Sequence, residues 1–215
     1  MDGVLLDTEG FYTIVQQKIA SRYGKTFDWT LKSKMLGKKA HDAALTFVRE
    51  LDLEGKLEPA DFLSERERLL DEMFPTAELL PGVERLLRHL KASGVEIAVA
   101  TSSTRRGFTL KTTRHGEVFS LFSHVVTGDE VKHGKPAPDI FLTAASRFDP
   151  APSPGACLVV EDAPAGVEAA KAAGMHALMV PDERLDKALV KGYDQLLYSL
   201  ENFDPETWGI PPFEP

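Results

Sequence analysis

Met1-Asp2-Gly3-Val4-Leu5-Leu6-Asp7-Thr8 opens the chain, and the reading of the fold turns on it. Asp2-Gly3 is a turn signal, because glycine reaches backbone angles that other residues avoid. Val4 to Leu6 is shorter than an ordinary strand. An acidic turn with almost nothing ahead of it reads as the end of a strand whose body is missing.

Beyond this stretch the periodicity is first helical. Phe11, Ile14, Val15, Ile19 and Tyr23 fall on one face at helical spacing, and Gly24 stops the run. Ala40, Ala44, Phe47, Val48 and Leu51 mark a second helix, and Phe62, Leu69, Leu70 and Met73 a third that ends at Pro75. From Leu80 the pattern changes. A helix stripe of Val83, Leu86, Leu87 and Leu90 stops at Gly94, and Val95 to Ala100 reads as a strand. A helix over about 108–113 and a strand over 124–127 follow, then a helix over 138–148 with proline near its start. The apolar run 156–160, a helix over 164–173 stopped by Gly174, and a strand over 177–180 complete the alternation. Apolar strands alternating with helices predict an α/β fold, a Rossmann-like parallel sheet covered on both faces. The expected core is 1–10 with 80–215, interrupted by a helical insertion over 11–79. A helical block placed after the first strand suits a lid over the carboxyl ends of the strands, where such sheets bind ligands. The tail from Asn202 is proline-rich and reads as an irregular strap, docked by Trp208 and Phe213.

Composition sets the outer limits. The 215 residues are 43% hydrophobic and 27% charged, enough for a buried core and a soluble surface. Lysine and arginine number 25 against 33 acidic residues, a net charge of −8, which disfavours general binding to nucleic acid or to an anionic membrane. There is no signal-like apolar run and no segment long enough to span a bilayer. A single cysteine, Cys157, lies in an apolar run and reads as a core thiol. One cysteine forms no internal disulfide, and a reducing cytoplasmic setting is the expectation.

Three later groups can carry chemistry. Thr101-Ser102-Ser103 follows the apolar Val99-Ala100; its hydroxyls and N–H groups can hold a phosphate, although alone such a run is more often a helix cap. Lys135 sits between Gly134 and Pro136 just before a helix, after Gly128-Asp129-Glu130; it can face an anion or be a solvated loop lysine. Glu161-Asp162 ends one apolar run and precedes a helix; the pair can hold Mg²⁺ or act as an acidic helix cap. The six histidines show no metal-ligand spacing.

The order of these groups decides between the readings. Asp2, Thr101, Lys135 and Glu161-Asp162 resemble, in sequence and context, the four motifs of the haloacid-dehalogenase superfamily. Gly134-Lys135-Pro136-Ala137-Pro138-Asp139 and the run from Glu161 to Ala170 are the most specific parts, and the likeness covers the whole chain. The branch resembled most contains phosphatases of pseudouridine 5′-phosphate and of glycerol phosphate, with phosphosugar mutases as distant cousins. The resemblance implies phosphoryl transfer to an aspartate and hydrolysis of the aspartyl-phosphate, which splits one hard displacement into two easier ones. It implies that Asp2 is the general acid/base, that Thr101 and Ser102 bind the phosphoryl oxygens, and that Lys135 neutralises the transferring group. It further implies Mg²⁺ on Glu161, Asp162 and the Asp2 carbonyl, and substrate selection by Gly37, Lys38 and Lys39. The partner expected is a small phosphomonoester, pseudouridine 5′-phosphate ahead of glycerol phosphate on the likeness of the loop from Gly37 to Ala40, and the expected state a monomer. In the family pattern the nucleophile stands two residues before the acid/base, one residue ahead of Met1. The polypeptide as written is therefore expected to be inactive, either a shortened reading of an active enzyme or a noncatalytic phosphate-binding or interaction protein.

Overall fold

The computed structural model describes residues 1–35, 40–189 and 191–214. Backbone contacts divide the chain into two compact units, Thr8–Thr76 and Met1–Asp7 with Ala77–Pro215.

The first unit is helical: α1 (Glu9–Ser21), α2 (Trp29–Met35), α3 (Ala40–Glu50) and α4 (Pro59–Met73), closed by a 3₁₀ turn, Phe74–Thr76. Its centre is aromatic. Phe47 stacks on Phe62 with ring centroids 4.2 Å apart, and Phe27 lies against Phe47 at 5.9 Å. Both Phe47 and Phe62 are fully buried, as are Ile19 and Leu53. The predicted stripes of α1, α3 and α4 supply Ile19, Phe47 and Phe62, while Phe27 and Leu53 come from the connections between helices. Helix α2 was not predicted, since seven residues with two lysines show little periodicity; its start is marked by Asp28, whose Oδ1 accepts the Leu31 N–H at 2.9 Å. Lys32 is buried here and donates to Thr13 Oγ1 at 3.0 Å, with Glu9 at 3.3 Å. The predicted selection residues Gly37, Lys38 and Lys39 lie outside the described residues.

The second unit holds α5 (Val83–Ala92), β1 (Ala98–Thr101), α6 (Arg105–Lys111), α7 (Gly116–Phe119), β2 (His124–Thr127), α8 (Asp139–Ser146), β3 (Leu158–Glu161), α9 (Pro164–Ala172), β4 (His176–Met179) and β5 (Gln195–Leu196). All strand pairs are parallel. Among the described residues the strands form two sheets, β1-β2 and β3-β4-β5, rather than the single sheet expected. One apolar core contains Val126, Ile140, Phe141, Val159 and Val167; the other contains Val4, Val83, Leu86, Leu178 and Phe203.

Boundaries shift for local reasons. Strand β1 begins at Ala98, not Val95, because its partner in register is His124 and the ladder starts there. Ala156 closes a 3₁₀ turn begun by Pro154, so β3 starts later than the apolar run. Helix α9 ends as predicted at Gly174, which has φ +74°. Its N–H bonds Lys171 O at 3.0 Å while Met175 N–H bonds Ala170 O at 3.0 Å, the paired arrangement that left-handed glycine allows. The tail is docked as expected: Trp208 Nε1 donates to Gln195 Oε1 at 2.7 Å, and the Arg85 guanidinium lies 4.1 Å from the Phe213 ring centroid. Cys157 is half-buried rather than a core thiol, with burial holding its pKa above the ordinary value.

Candidate active site

Met1 to Leu6 forms a tight turn, with Asp2 and Leu6 in single β-bridges. The N–H groups of Leu5 and Leu6 both bond the Met1 carbonyl, at 2.8 and 3.1 Å, and Gly3 N–H bonds Leu6 O at 3.0 Å. The turn is anchored to the unit by Asp7 N–H on Glu78 O and Leu80 N–H on Leu5 O, each 3.0 Å. It carries Asp2 to the carboxyl end of β1.

There Asp2 meets two groups. Its Oδ1 is 2.6 Å from Lys111 Nζ, and its Oδ2 accepts the Ser103 hydroxyl at 3.0 Å. Lys111 Nζ also donates to Ser103 Oγ at 2.9 Å, closing a triangle. Lys111 is 2% exposed, so this ammonium is inside the protein and needs such partners. The Asp2 side chain is 23% exposed and keeps a solvent-facing side. The carboxylate is therefore fixed in orientation yet accessible, as a proton carrier must be.

The run after β1 alternates. Thr101 is buried, Ser102 is exposed, and Ser103 turns inward to Asp2. Thr101 Oγ1 accepts the Ser103 N–H at 3.2 Å and retains its own proton to donate. The helix cap is a different residue: Thr104 Oγ1 accepts Gly107 N–H at 3.2 Å at the start of α6. Thr101 to Ser103 are thus not used as that cap.

At the end of β3, Glu161 is buried and paired with Lys135, whose ammonium also lies 4.8 Å from the Phe141 ring centroid. Lys135 is not a solvated loop lysine: its side chain is 13% exposed. Asp162 follows Glu161 and packs on Gly3, where an added Cβ would collide with the Asp162 carboxylate. A Cβ on Gly166 would collide with Glu161 in the same way. Glycine at both positions leaves these carboxylates their room. Met1 lies among the same groups.

The acidic pair Asp129-Glu130 is structural. Both Asp129 oxygens accept Arg105 N–H at 3.2 Å at the start of α6. Glu130 accepts Thr127 N–H at 3.0 Å and pairs with Arg105 and Arg147 at 2.6 and 2.8 Å. These bonds hold its pKa down at about 2, with the Thr127 N–H the largest cause. His115, His124 and His89 bond backbone carbonyls at 2.6, 2.8 and 2.8 Å, in line with structural roles.

The predicted Asp2, Thr101, Lys135, Glu161 and Asp162 come together; among the described residues the Ser102 side chain does not join the bonded cluster, whereas Ser103, expected only as part of the hydroxyl run, and Lys111, which was not predicted, do. The donors available to a cation are hard carboxylate oxygens and the Asp2 carbonyl, the chemistry Mg²⁺ prefers, and glycines clear space beside Glu161 and Asp162. As placed, Glu161 faces Lys135 and Asp2 faces Lys111, and among the described residues no three acidic, histidine or cysteine side chains are gathered for a metal.

Residues 1–174 match the family model described as haloacid dehalogenase-like hydrolase. The chain is 57% identical over 217 residues to (DL)-glycerol-3-phosphatase 1, mitochondrial, of Arabidopsis thaliana, covering 100% of this chain and 73% of that protein. It is 44% identical over 216 residues to a Drosophila melanogaster protein named "Probable pseudouridine-5′-phosphatase", covering 99% and 93%. Among solved structures, a haloacid-dehalogenase family hydrolase of Deinococcus radiodurans with bound phosphate and sodium superposes with a TM-score of 0.81 at 26% identity, over 99% of this chain and 95% of that one.

Proposed function

The chain belongs to the haloacid-dehalogenase-like hydrolases, and on that footing we propose that its site is built to hydrolyse a small phosphomonoester, glycerol 3-phosphate first and pseudouridine 5′-phosphate second. The observation that carries this is the meeting of Asp2, Thr101, Lys135 and Glu161-Asp162 at the carboxyl ends of β1 and β3. The order of substrates follows the greater identity to the glycerol-3-phosphatase and reverses the order expected from the loop around Gly37, Lys38 and Lys39.

In this reading a carboxylate two positions before Asp2, ahead of Met1, attacks phosphorus as the bond to the substrate oxygen breaks. Asp2 gives that oxygen its proton. Asp2, now a carboxylate, takes a proton from water as the water attacks the acyl phosphate, releasing inorganic phosphate and regenerating the acceptor. Thr101 donates its hydroxyl to a phosphoryl oxygen, and Ser102 contributes from the exposed side of the same run. Lys135 offsets the charge gathered on the transferring group, where fixed charge is most effective. When bound, Mg²⁺ would be held by Glu161, Asp162 and the Asp2 carbonyl and would neutralise phosphoryl oxygens. Gly37, Lys38 and Lys39 are assigned to substrate selection.

The test is a phosphomonoester screen, with Mg²⁺ and with EDTA, on the polypeptide extended at Met1 by an apolar strand ending in aspartate. Turnover of glycerol 3-phosphate that EDTA abolishes supports the reading. Transfer of phosphate between positions of a hexose bisphosphate would indicate a mutase. Tight phosphate binding without turnover would leave a noncatalytic phosphate-binding protein.

A further inference from the structure

Lys111 is a buried cation to which the chemistry assigned so far gives no part. It is the last residue of α6, and its ammonium reaches back past the start of that helix. Nζ lies 2.6 Å from Asp2 Oδ1 and donates to Ser103 Oγ at 2.9 Å. Both groups that meet the Asp2 carboxylate stand on a held backbone. Ser103 N–H is bonded to Thr101 Oγ1 at 3.2 Å, and the Ser103 carbonyl accepts Gly128 N–H at 2.9 Å. Gly128 approaches so closely that a Cβ there would collide with the Ser102 carbonyl. The first turn of α6 is pinned by Thr104 Oγ1 on Gly107 N–H and by Asp129 on Arg105 N–H. The two oxygens of Asp2 therefore face different groups, an ammonium at Oδ1 and a hydroxyl at Oδ2.

On the footing of the hydrolase reading, we propose that Lys111 is a positioning residue for the first chemical step: through Oδ1 and Ser103 it fixes the rotation of the Asp2 carboxyl, so that Oδ2 is the oxygen that hands its proton to the substrate. An ammonium at 2.6 Å makes Oδ1 an acceptor, because a proton on that oxygen would set donor against donor. Oδ2 faces a hydroxyl, which has one proton and two lone pairs. Ser103 Oγ takes one bond from Lys111. It donates to Oδ2 while Asp2 is a carboxylate, and its second lone pair is there to accept from Oδ2 while Asp2 is the acid. One arrangement thus serves Asp2 as acid and then as base, and no side chain has to change place between the two steps. In the first step the O–H bond at Oδ2 breaks and a new one forms on the leaving oxygen. Lys111 and Ser103 keep all their protons, so neither is consumed. Lys135 does not duplicate this role, since its ammonium is paired with Glu161. Water does not replace Lys111 either, because its ammonium is shut inside the protein.

The first test uses the 215-residue polypeptide and nuclear magnetic resonance. The Lys111 ammonium protons should exchange with water more slowly than those of exposed lysines, and Asp2→Asn should shift their resonance. The second compares two substrates of the strand-extended enzyme. Glycerol 3-phosphate needs a proton on its leaving oxygen, whereas p-nitrophenyl phosphate loses its leaving group without one. The ratio kcat/KM is read because it covers phosphoryl transfer to the acceptor and not the later hydrolysis. Lys111→Met should lower it about tenfold to a hundredfold for glycerol 3-phosphate and no more than about threefold for p-nitrophenyl phosphate. Ser103→Ala removes less from the interior and should show the same selectivity, which keeps the test in force if Lys111→Met fails to fold. In an Asp2→Asn background Lys111→Met should add no further loss. The proposal is overturned if both substrates fall equally, if the loss persists without the Asp2 carboxylate, or if the Lys111 ammonium exchanges as fast as an exposed one. Turnover of neither phosphate by the extended parent would overturn the hydrolase reading itself, and this role with it.

Discussion

At the scale of single residues, the site depends on an absent side chain and on a buried one. Gly3 has φ +66° and faces the Asp162 carboxylate. Gly3→Ala adds a methyl group where that carboxylate sits and places alanine in a left-handed conformation, costing about 1–3 kcal/mol. Urea unfolding should show that loss, and turnover in the strand-extended enzyme should fall by more than the stability loss explains, because Asp162 must move. Lys111 is tested by a double-mutant cycle with Asp2. Lys111→Met leaves Asp2 and Ser103 without their ammonium, and a loss of about 2–4 kcal/mol is expected, toward the lower end because Asp2 keeps solvent contact. Asp2→Asn in the Lys111→Met background should cost less than Asp2→Asn alone. Additive losses would mean that the 2.6 Å pair carries no coupling. Lys111 was not legible in the sequence because its partners come from distant stretches: Asp2 and Ser103 are themselves 101 positions apart. Ser103 was legible in principle. An extended run alternates its sides, so a buried Thr101 puts Ser103, not Ser102, on the same side.

At the scale of elements, the long periodic helices could be read from sequence because each buries one apolar stripe; α1, α3, α4, α5 and α9 all lie where the stripes predict. What could not be read was set by pairing. Strand β5 has two residues and exists through its ladder with β4, and β1 begins where His124 gives it a partner. The junction of β2 with α6 is held by Glu130, which accepts from Thr127, Arg105 and Arg147. Its pKa stands at about 2 against an ordinary 4.5. A depressed carboxylate contributes its stability above the unfolded value and loses it as pH falls toward the folded one. The contribution is thus complete above about pH 4.5 and gone near pH 2. With the side chain 28% exposed, solvent screening leaves about 1–2 kcal/mol of it. Glu130→Gln should lower the unfolding free energy from urea titration at pH 7 by that amount, and flatten the acid limb between those two values. A variant whose midpoint follows the parent at every pH would show that the network is only a surface feature.

At the scale of the whole molecule, the split sheet and the phosphoryl acceptor proposed to lie ahead of Met1 bear on the same end of the chain. Among the described residues Asp2, Glu161 and Asp162 are the site carboxylates; the first is assigned to proton transfer and the other two to the metal. A polypeptide starting at Met1 is therefore expected to show negligible turnover of any phosphomonoester. Joining an apolar strand that ends in aspartate to Met1 should place five or so apolar side chains between the two cores, and each valine- or leucine-sized one contributes roughly 1.5–3 kcal/mol of burial. Ordering that strand costs about 1–2 kcal/mol per residue in backbone freedom, so the net gain is a fraction of the gross. Extra negative charge beside Glu161 and Asp162 subtracts further, and Mg²⁺ in the buffer should relieve that repulsion. The expected outcome is a higher Tm with Mg²⁺ present, together with Mg²⁺-dependent hydrolysis that the shorter polypeptide lacks. Replacing the added aspartate by asparagine separates the two effects: the gain in Tm should remain while turnover disappears. Equal turnover by the two lengths of chain would place the acceptor elsewhere and remove Asp2 from its assigned role.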